Sequence, residues 1–205
     1  MYVPEAFQKK DGDELTRFIR ENNFGILFSG LDGGLQANHL PFLFEASAGG
    51  PGLLRGHMAK ANPQGRTLGA GEEVLVVFQG PHAYISPNWY EMPQRVPTWN
   101  YTAVHVYGRY QTLGGLEPTR QSLKDLVDAQ EGSMKKPWKM ESLSEEFVEK
   151  MVAQVQAFEI EITRLEGKWK LGQNHPKESR QKVVEALKRE GGFFQKAIAD
   201  LMGKD

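Results

Sequence analysis

The sequence contains no cysteine among its 205 residues. This absence excludes disulfide bonds, thiolate metal sites and cysteine nucleophiles, and it is compatible with a reducing compartment. Long hydrophobic runs are also missing, since none approaches the roughly 18 residues of a membrane-spanning helix, and the first residues lack the apolar region of a signal peptide. We therefore expect a cytoplasmic protein without a membrane segment.

The sequence also lacks an excess of charge of either sign, because its formal net charge is −1 at pH 7. A near-neutral chain argues against broad electrostatic attraction to nucleic acid or to a membrane surface. With 40% hydrophobic and 25% charged residues, the composition is that of an ordinary globular protein. We find neither a long linker nor an internal repeat, so we expect one domain over residues 1–205, with 177–205 as a C-terminal helical extension.

Several common functional motifs are absent. The glycines of GLDGG and GAGEE match neither the dinucleotide fingerprint nor the P-loop. No two of the five histidines have HExxH spacing and no carboxylate cluster accompanies them, so we expect no metal site built by the protein. Nothing resembling a nucleophile elbow surrounds Ser86, which makes covalent hydrolysis a poor fit. The catalytic residues, if the chain has any, stay unknown at this point.

The distribution of apolar residues predicts mostly strands. LDGG between two apolar segments is typical of a hairpin, and alternating apolar and polar residues indicate strands with one buried face. Asp11 or Asp13 is expected to cap a first helix, and Ser142 a helix over about 143–155. Closely spaced antiparallel strands favour a barrel over a parallel sheet. The predicted strands are 24–29, 35–45, 53–60, 73–79, 82–86, 101–113 and 156–165, and the other predicted helices are 117–131, Lys177–Glu190 and Phe193–Met202.

Two segments carry an unusual density of functional side chains. In LLRGHMAKANPQ, cations and amides gather within ten residues, a set that suits a phosphate, although a solvated strand edge is the alternative. This set is Arg55, His57, Lys60, Asn62 and Gln64. Further on, four prolines alternate with Trp89, Tyr90 and Trp99 and predict a stiff aromatic loop. Such a loop could cover a flat ligand or plug the end of a barrel.

Six segments together resemble one family. MYVPEAF, NHLPF, RGHMAKANPQ, VFQGPHAYISPNWY, VPTWNYTAVHVYG and KLGQNHP, spread from Met1 to Pro176, resemble the PaiB-like proteins, which are named as FMN-binding negative transcriptional regulators. The resemblance implies a mainly β (α+β) fold, an FMN-binding split β-barrel of the flavin-reductase and pyridoxamine-phosphate-oxidase type with peripheral helices and a C-terminal helical hairpin. It also implies a homodimer with FMN at the subunit interface.

The resemblance also implies which residues bind the cofactor. Lys60 and Asn62 are expected at the phosphate, with His57 beside them. The motif KLGQNHP departs from the family's usual KLSQNR, because Gly172 and His175 stand in place of a serine and an arginine. The complete expected set is Asn38, His39, His57, Met58, Ala59, Lys60, Asn62, Trp99, Asn100, Lys170, Gln173 and Asn174.

Three functions remain open from the sequence. The first is a flavin-binding negative regulator, the second an FMN-dependent oxidoreductase that uses NAD(P)H, and the third a haem-binding protein of the same barrel type. The stretch 177–196, with six basic against three acidic residues, is a possible DNA-binding segment. Its alternative is a hairpin packed through Val183, Val184, Leu187 and Phe193.

Overall fold

The structure is a computed structural model and describes residues 1–31, 34–47 and 50–204. Strands dominate this part of the chain, in agreement with the mainly β prediction. In chain order they are β1 (Gln8–Lys9), β2 (Phe24–Leu31), β3 (Gly34–Ser47), β4 (Gly50–Ala59), β5 (Glu73–Ile85), β6 (Thr98–Thr112) and β7 (Val155–Lys170).

The strands form one antiparallel sheet in the order β1-β7-β4-β3-β2-β5-β6, and β7 also pairs with β6. The last strand in this order, β6, therefore pairs with β7 near the beginning of the order. As a result β6 and β7 each have hydrogen-bonded neighbours on both sides. β2 and β3 pair from Phe24 with Pro41 to Leu31 with Gly34. This register confirms the predicted hairpin, while Asp32 and Gly33 of its LDGG turn lie outside the described residues.

Six helices flank the strands in the described ranges, and all except α2 lie at the predicted places with small shifts. They are α1 (Gly12–Glu21), α2 (Pro63–Thr67), α3 (Leu116–Glu131), α4 (Glu145–Val152), α5 (Lys177–Glu190) and α6 (Phe193–Met202). Asp11 caps α1, because its Oδ1 accepts hydrogen bonds from the backbone N–H groups of Asp13 and Glu14. No helix in the described ranges combines the length and the hydropathy that a membrane span requires.

Three element predictions were wrong in detail. Residues 73–79 and 82–86 form the single strand β5, since Gly80 lets the backbone pass close to Thr102 and the Phe18 ring, where a Cβ would collide. α4 is capped by Ser144 and ends at Val152. β1 and α2 were not predicted, because two and five residues are too few for a periodic pattern.

The chain divides into two compact units. Unit 1 consists of Met1–Phe18, Gln79–Val104 and Glu166–Asp205, and unit 2 of Ile19–Phe78 and His105–Leu165. The expectation of one domain stays a prediction.

Each unit has its own apolar core. In unit 2, Phe42 meets Phe78 and Phe158 at ring-centroid distances of 5.6 and 6.1 Å. In unit 1, α5 and α6 bury the apolar side chains Val183, Val184, Leu187, Ile198 and Met202. Phe193 does not take part in this packing, contrary to the prediction, because it is 83% exposed.

Candidate functional site

The pairing of β3 with β4 stops before either strand ends, at one end of unit 2. Their last register pair at this end is Phe42 with Gly56, and the next residue of β3 is Pro41, which has no N–H to donate. β4 continues to Ala59 with β7 as its partner. We call this place the β3–β4 mouth and define it by seven predicted residues that the structure brings to it. These are Asn38, His39, His57, Met58, Ala59, Lys60 and Asn62.

A buried amide organises the mouth. Gln64 is fully buried, and its Nε2 donates hydrogen bonds to the carbonyl of Leu27 at 3.1 Å and to Oγ of Ser29 at 2.9 Å. Its Oε1 accepts a hydrogen bond from Nδ2 of Asn38 at 2.7 Å, and its backbone N–H donates to Oδ1 of Asn62. Both N–H groups of the amide are therefore used inside the protein. Gln64 positions Asn38 and Asn62 and leaves no donor for a phosphate.

Lys60 and Asn62 follow directly after β4. Oδ1 of Asn62 caps α2, so its other amide atom, Nδ2, is the one left to face a ligand. Lys60 is exposed, and within the described residues its ammonium group forms no ion pair. A free cation beside an amide donor is the chemistry that suits an oxyanion.

His57 and Met58 are neighbours on β4, so their side chains point to opposite faces of the strand. Burial lowers the pKa of His57, so this imidazole is neutral at pH 7 and can both donate and accept a hydrogen bond. Met58 is buried, and a Cβ on Gly65 would come within 2.6 Å of its sulfur. His39 is exposed on β3 and stacks on Phe24 at 6.1 Å. At the mouth, His57 and His39 are thus polar side chains within reach of solvent, whereas Met58 packs inward.

Arg55 has a structural role and is not available to bind an anion. Its guanidinium lies 2.6 Å from Glu45, 2.7 Å from Glu159 and 3.4 Å from Asp125. Although burial acts against its charged form, the hydrogen bond that Arg55 donates to Glu159 and the three carboxylate charges raise the pKa of Arg55. The sequence suggested Arg55 for the phosphate, and the structure corrects this because its charge is already neutralised.

The remaining predicted residues lie in unit 1. Nζ of Lys170, at the end of β7, donates to Oγ1 of Thr98 and to the carbonyl of Trp99, the latter at 2.9 Å. Trp99 is 53% exposed and belongs to β6, not to a loop as predicted. The side chain of Gln173 is occupied, because it accepts from the backbone N–H of Leu171 and donates to the carbonyl of Trp169, both at 2.8 Å. Gln173 thus holds the turn that follows β7.

Three of these residues meet at a cavity of about 200 Å³ within unit 1. Asn100, Lys170 and Asn174 line it together with residues that the sequence did not single out as ligands. These are Tyr90, Gln94, Arg95, Val96, Thr98, Gly172 and His175. Tyr90 and His175 pack ring against ring at 4.5 Å. The proline-rich pattern around Tyr90 indicated a ligand-covering loop, but no local signal could have placed Arg95 beside Lys170.

Comparison with known proteins identifies the family. Residues 1–164 match the model of a family described as "Putative FMN-binding domain". The chain belongs to this FMN-binding family. It is 36% identical over 202 residues to "Protease synthase and sporulation protein PAI 2" of Bacillus subtilis (strain 168), an alignment that covers 98% of this chain and 96% of the relative. The resemblance to PaiB-like proteins and the expected cofactor, FMN, are thereby confirmed.

Solved structures confirm the split-barrel fold of this FMN-binding family member. The FAD and haem binding protein of Mycobacterium smegmatis is similar with a TM-score of 0.58 and 15% identity, over 91% of this chain and 80% of that one. The flavocytochrome Anf3 of Azotobacter vinelandii also has a TM-score of 0.58, with 11% identity over 82% of this chain and 72% of that one. At these identities the similarity concerns the fold alone.

The donor set of the β3–β4 mouth fits FMN. A flavin mononucleotide needs a cation and neutral donors for its phosphate, an apolar surface for its ring and a few donors for the ring carbonyls. Lys60 and Asn62 meet the first need, whereas the side chain of Met58 is buried, so Met58 could contribute only through its backbone. Among the described strands, β7 alone pairs with β4 over His57, Met58 and Ala59, so part of the β4 backbone there is free to bind ring oxygens. Within the described residues, no three metal-ligating side chains come together.

Proposed function

We propose that the chain binds FMN at the β3–β4 mouth, with Lys60 and Asn62 at the phosphate and Asn38, His57, Met58 and Ala59 along the ring. The observation that carries this proposal is the exposed charge of Lys60 beside the amide of Asn62, directly after β4. The cofactor would supply redox chemistry, whereas these residues bind and orient it. The five unit 1 residues and His39 stay predictions for FMN.

Removal of the Lys60 charge tests the phosphate assignment. The Lys60→Ala variant should bind FMN more weakly by about 1.5 to 3 kcal/mol, because a charge-assisted hydrogen bond is lost. This corresponds to a Kd that is roughly ten- to a hundredfold higher. Quenching of flavin fluorescence during titration measures both affinities.

Two controls make this test specific. Riboflavin has no phosphate, so its affinity should be the same for the parent protein and for Lys60→Ala. Lys136→Ala removes another exposed cation of unit 2 and should leave FMN binding unchanged. Equal affinity of Lys60→Ala and the parent protein for FMN would contradict the assignment.

For the biological role, we propose a negative transcriptional regulator that acts as a cytoplasmic homodimer with FMN at the subunit interface. The full-length similarity to a relative named for protease synthesis and sporulation supports a role in gene expression. Exposed Lys188, Arg189 and Lys196 on α5 and α6 support DNA binding only weakly, because Glu185 and Glu190 share the hairpin. Sedimentation of the FMN-loaded protein tests the dimer.

An FMN-dependent oxidoreductase is the second candidate, and the unit 1 cavity favours it because that cavity offers space for a small molecule. Two experiments separate these roles. A regulator should change transcript levels when the gene is deleted, with rescue by the parent chain and not by Lys60→Ala. An oxidoreductase should let NADPH bleach the bound flavin. A Soret band in place of flavin absorption would contradict both and indicate haem.

A further inference from the structure

The cavity of unit 1 is positively charged. Arg95 and Lys170 both line it, its described lining contains no aspartate or glutamate, and within the described residues neither cation forms an ion pair. Burial together with the charges of Arg95 and Lys170 lowers the pKa of His175, which also lies in the wall. The cavity therefore holds two uncompensated cations around a neutral imidazole, an arrangement that attracts an anion.

Three wall residues carry buried polar atoms without a hydrogen-bond partner in the described part of the chain. They are Oη of Tyr90, Nε of Arg95 and Oδ1 of Asn100. Tyr90 is 2% exposed and Asn100 is 1% exposed, so bulk water does not satisfy them. Nδ2 of Asn100 faces the sulfur of Met202 at 3.4 Å, which leaves its carbonyl oxygen as the free group. The wall thus presents two donors and one acceptor.

The segment that carries Arg95 is held in a strained conformation. Glu91 and Gln94 have φ values of 49° and 55°, in the left-handed region that side chains other than glycine rarely adopt. α5 holds this segment, because Lys182 pairs with Glu91 at 2.7 Å and Oγ of Ser179 contacts the sulfur of Met92 at 2.8 Å. Such strain persists where surrounding contacts impose it, and here it fixes the place of Arg95.

Size restricts the ligand further. A cavity of about 200 Å³ has the volume of roughly seven liquid waters of about 30 Å³ each. Pockets for larger ligands measure roughly 300 to 1,000 Å³, so a whole flavin nucleotide does not fit inside. An α-amino acid is disfavoured, because its ammonium group would meet Arg95 and Lys170 with no carboxylate to balance it.

We propose that this cavity is a binding site for a small hydroxy acid, separate from the FMN site. The carboxylate accepts hydrogen bonds from Arg95, Lys170 and the Tyr90 hydroxyl, and the hydroxyl group of the ligand donates to Oδ1 of Asn100. Asn100 and Lys170, expected from the sequence at the cofactor, are here assigned to this second ligand. The site gives a flavin-loaded protein a means to bind a small metabolite anion.

Calorimetric titration of the FMN-loaded full chain tests the proposal with four probes, L-malate, succinate, L-aspartate and inorganic phosphate. L-Malate should bind, and succinate, which has no hydroxyl, should bind about tenfold more weakly or worse, the effect of one hydrogen bond. L-Aspartate should be weaker than L-malate, since its ammonium replaces the hydroxyl. Failure of L-malate to bind, or equal binding of succinate or phosphate, would overturn the proposal.

Arg95→Gln locates the site without removal of a core residue. This variant should bind L-malate at least about tenfold more weakly, whereas Lys188→Gln, which changes an exposed cation outside the cavity, should bind it like the parent. FMN affinity of Arg95→Gln should be unchanged, and Lys60→Ala, once saturated with FMN, should still bind L-malate. If Arg95→Gln weakens FMN but not riboflavin, the cavity holds the flavin phosphate, and the separate site is refuted.

Discussion

At the residue scale, the buried amide of Gln64 fixes the position of Asn38 at the β3–β4 mouth. The sequence placed Gln64 among the phosphate donors, since composition gives the type of a donor but not its direction. In the fold, the amide points inward to Leu27 and Ser29 on β2. A polar residue next to a binding motif can thus position the ligand-binding residues without contacting the ligand itself. Burial alone distinguishes this positioning role from direct ligand binding.

Gly172 is a second residue whose role depends on its backbone. Its φ is 78°, and a Cβ there would meet its neighbours, among them His175 and Asn100, only at ordinary contact distances of 3.7 Å or more. Glycine therefore suits the left-handed backbone of this chain at the position where the related motif has a serine. Steric crowding does not contribute to this preference for glycine.

We expect Gly172→Ala to lower the free energy of unfolding by about 1 to 2 kcal/mol, the cost of a left-handed residue with a Cβ. Gly172→Asn should cost less, because asparagine tolerates this conformation. Gly12→Ala is the control, since Gly12 begins α1 with nothing within 4 Å of its added Cβ. Urea unfolding measures all three, and an equal cost of the alanine and asparagine variants would contradict the φ argument.

At the scale of elements, α4 shows how a cap selects a helix start. The sequence predicted Ser142 as the cap, because Glu145 stands three residues after it. In the structure Ser142 ends a 3₁₀ turn, Met140–Ser142, and its Oγ donates to the carbonyl of Lys139. Oγ of Ser144 accepts from the backbone N–H of Phe147 and begins α4.

Ser144→Ala should therefore lower the free energy of unfolding by about 1 kcal/mol, as is typical for the loss of a helix cap. Ser142→Ala is the matched control two residues away and should change it by less than about 0.5 kcal/mol, the usual range at a surface position. Chemical denaturation followed by circular dichroism gives both values. A larger loss of unfolding free energy in Ser142→Ala than in Ser144→Ala would show that Ser142 is the helix cap, as the sequence predicted.

At the scale of the whole molecule, stability should depend on pH through the half-buried histidines His57 and His175. Burial lowers the pKa of His57 below its ordinary value of 6.5. The unfolded chain then binds a proton more readily than the folded one, so the stability present above pH 6.5 is lost as the pH falls toward the lower folded pKa. His175 has a lowered pKa for the reasons given above and adds to the same dependence.

We expect the free energy of unfolding without FMN to fall between pH 7 and pH 5, and to fall less steeply in His57→Gln. Part of the slope should remain in this variant because His175 still titrates. Urea unfolding at several pH values measures the slopes. Parallel slopes for the two proteins would show that His57 takes up its proton in the folded state as easily as in the unfolded one.

The sequence by itself determined the strands, the C-terminal helices, the family and the cofactor. Alternation, caps and turns are local, so a window of a few residues contains the necessary information. The residues of motifs such as RGHMAKANPQ are likewise consecutive in the sequence, so the motif can be identified without a structure. The absence of cysteine settled the exclusion of disulfides in the same direct way.

Only the tertiary structure decided which functional side chains are free. Arg55 is not a phosphate ligand, because three carboxylates from distant segments of the chain form ion pairs with it. These are Glu45, Asp125 and Glu159. Arg95 and Lys170 lie 75 positions apart in the chain and yet line one cavity. The physical reason is that charge neutralisation and burial depend on distances in space, and the folded path of the backbone, not the order of residues, fixes those distances.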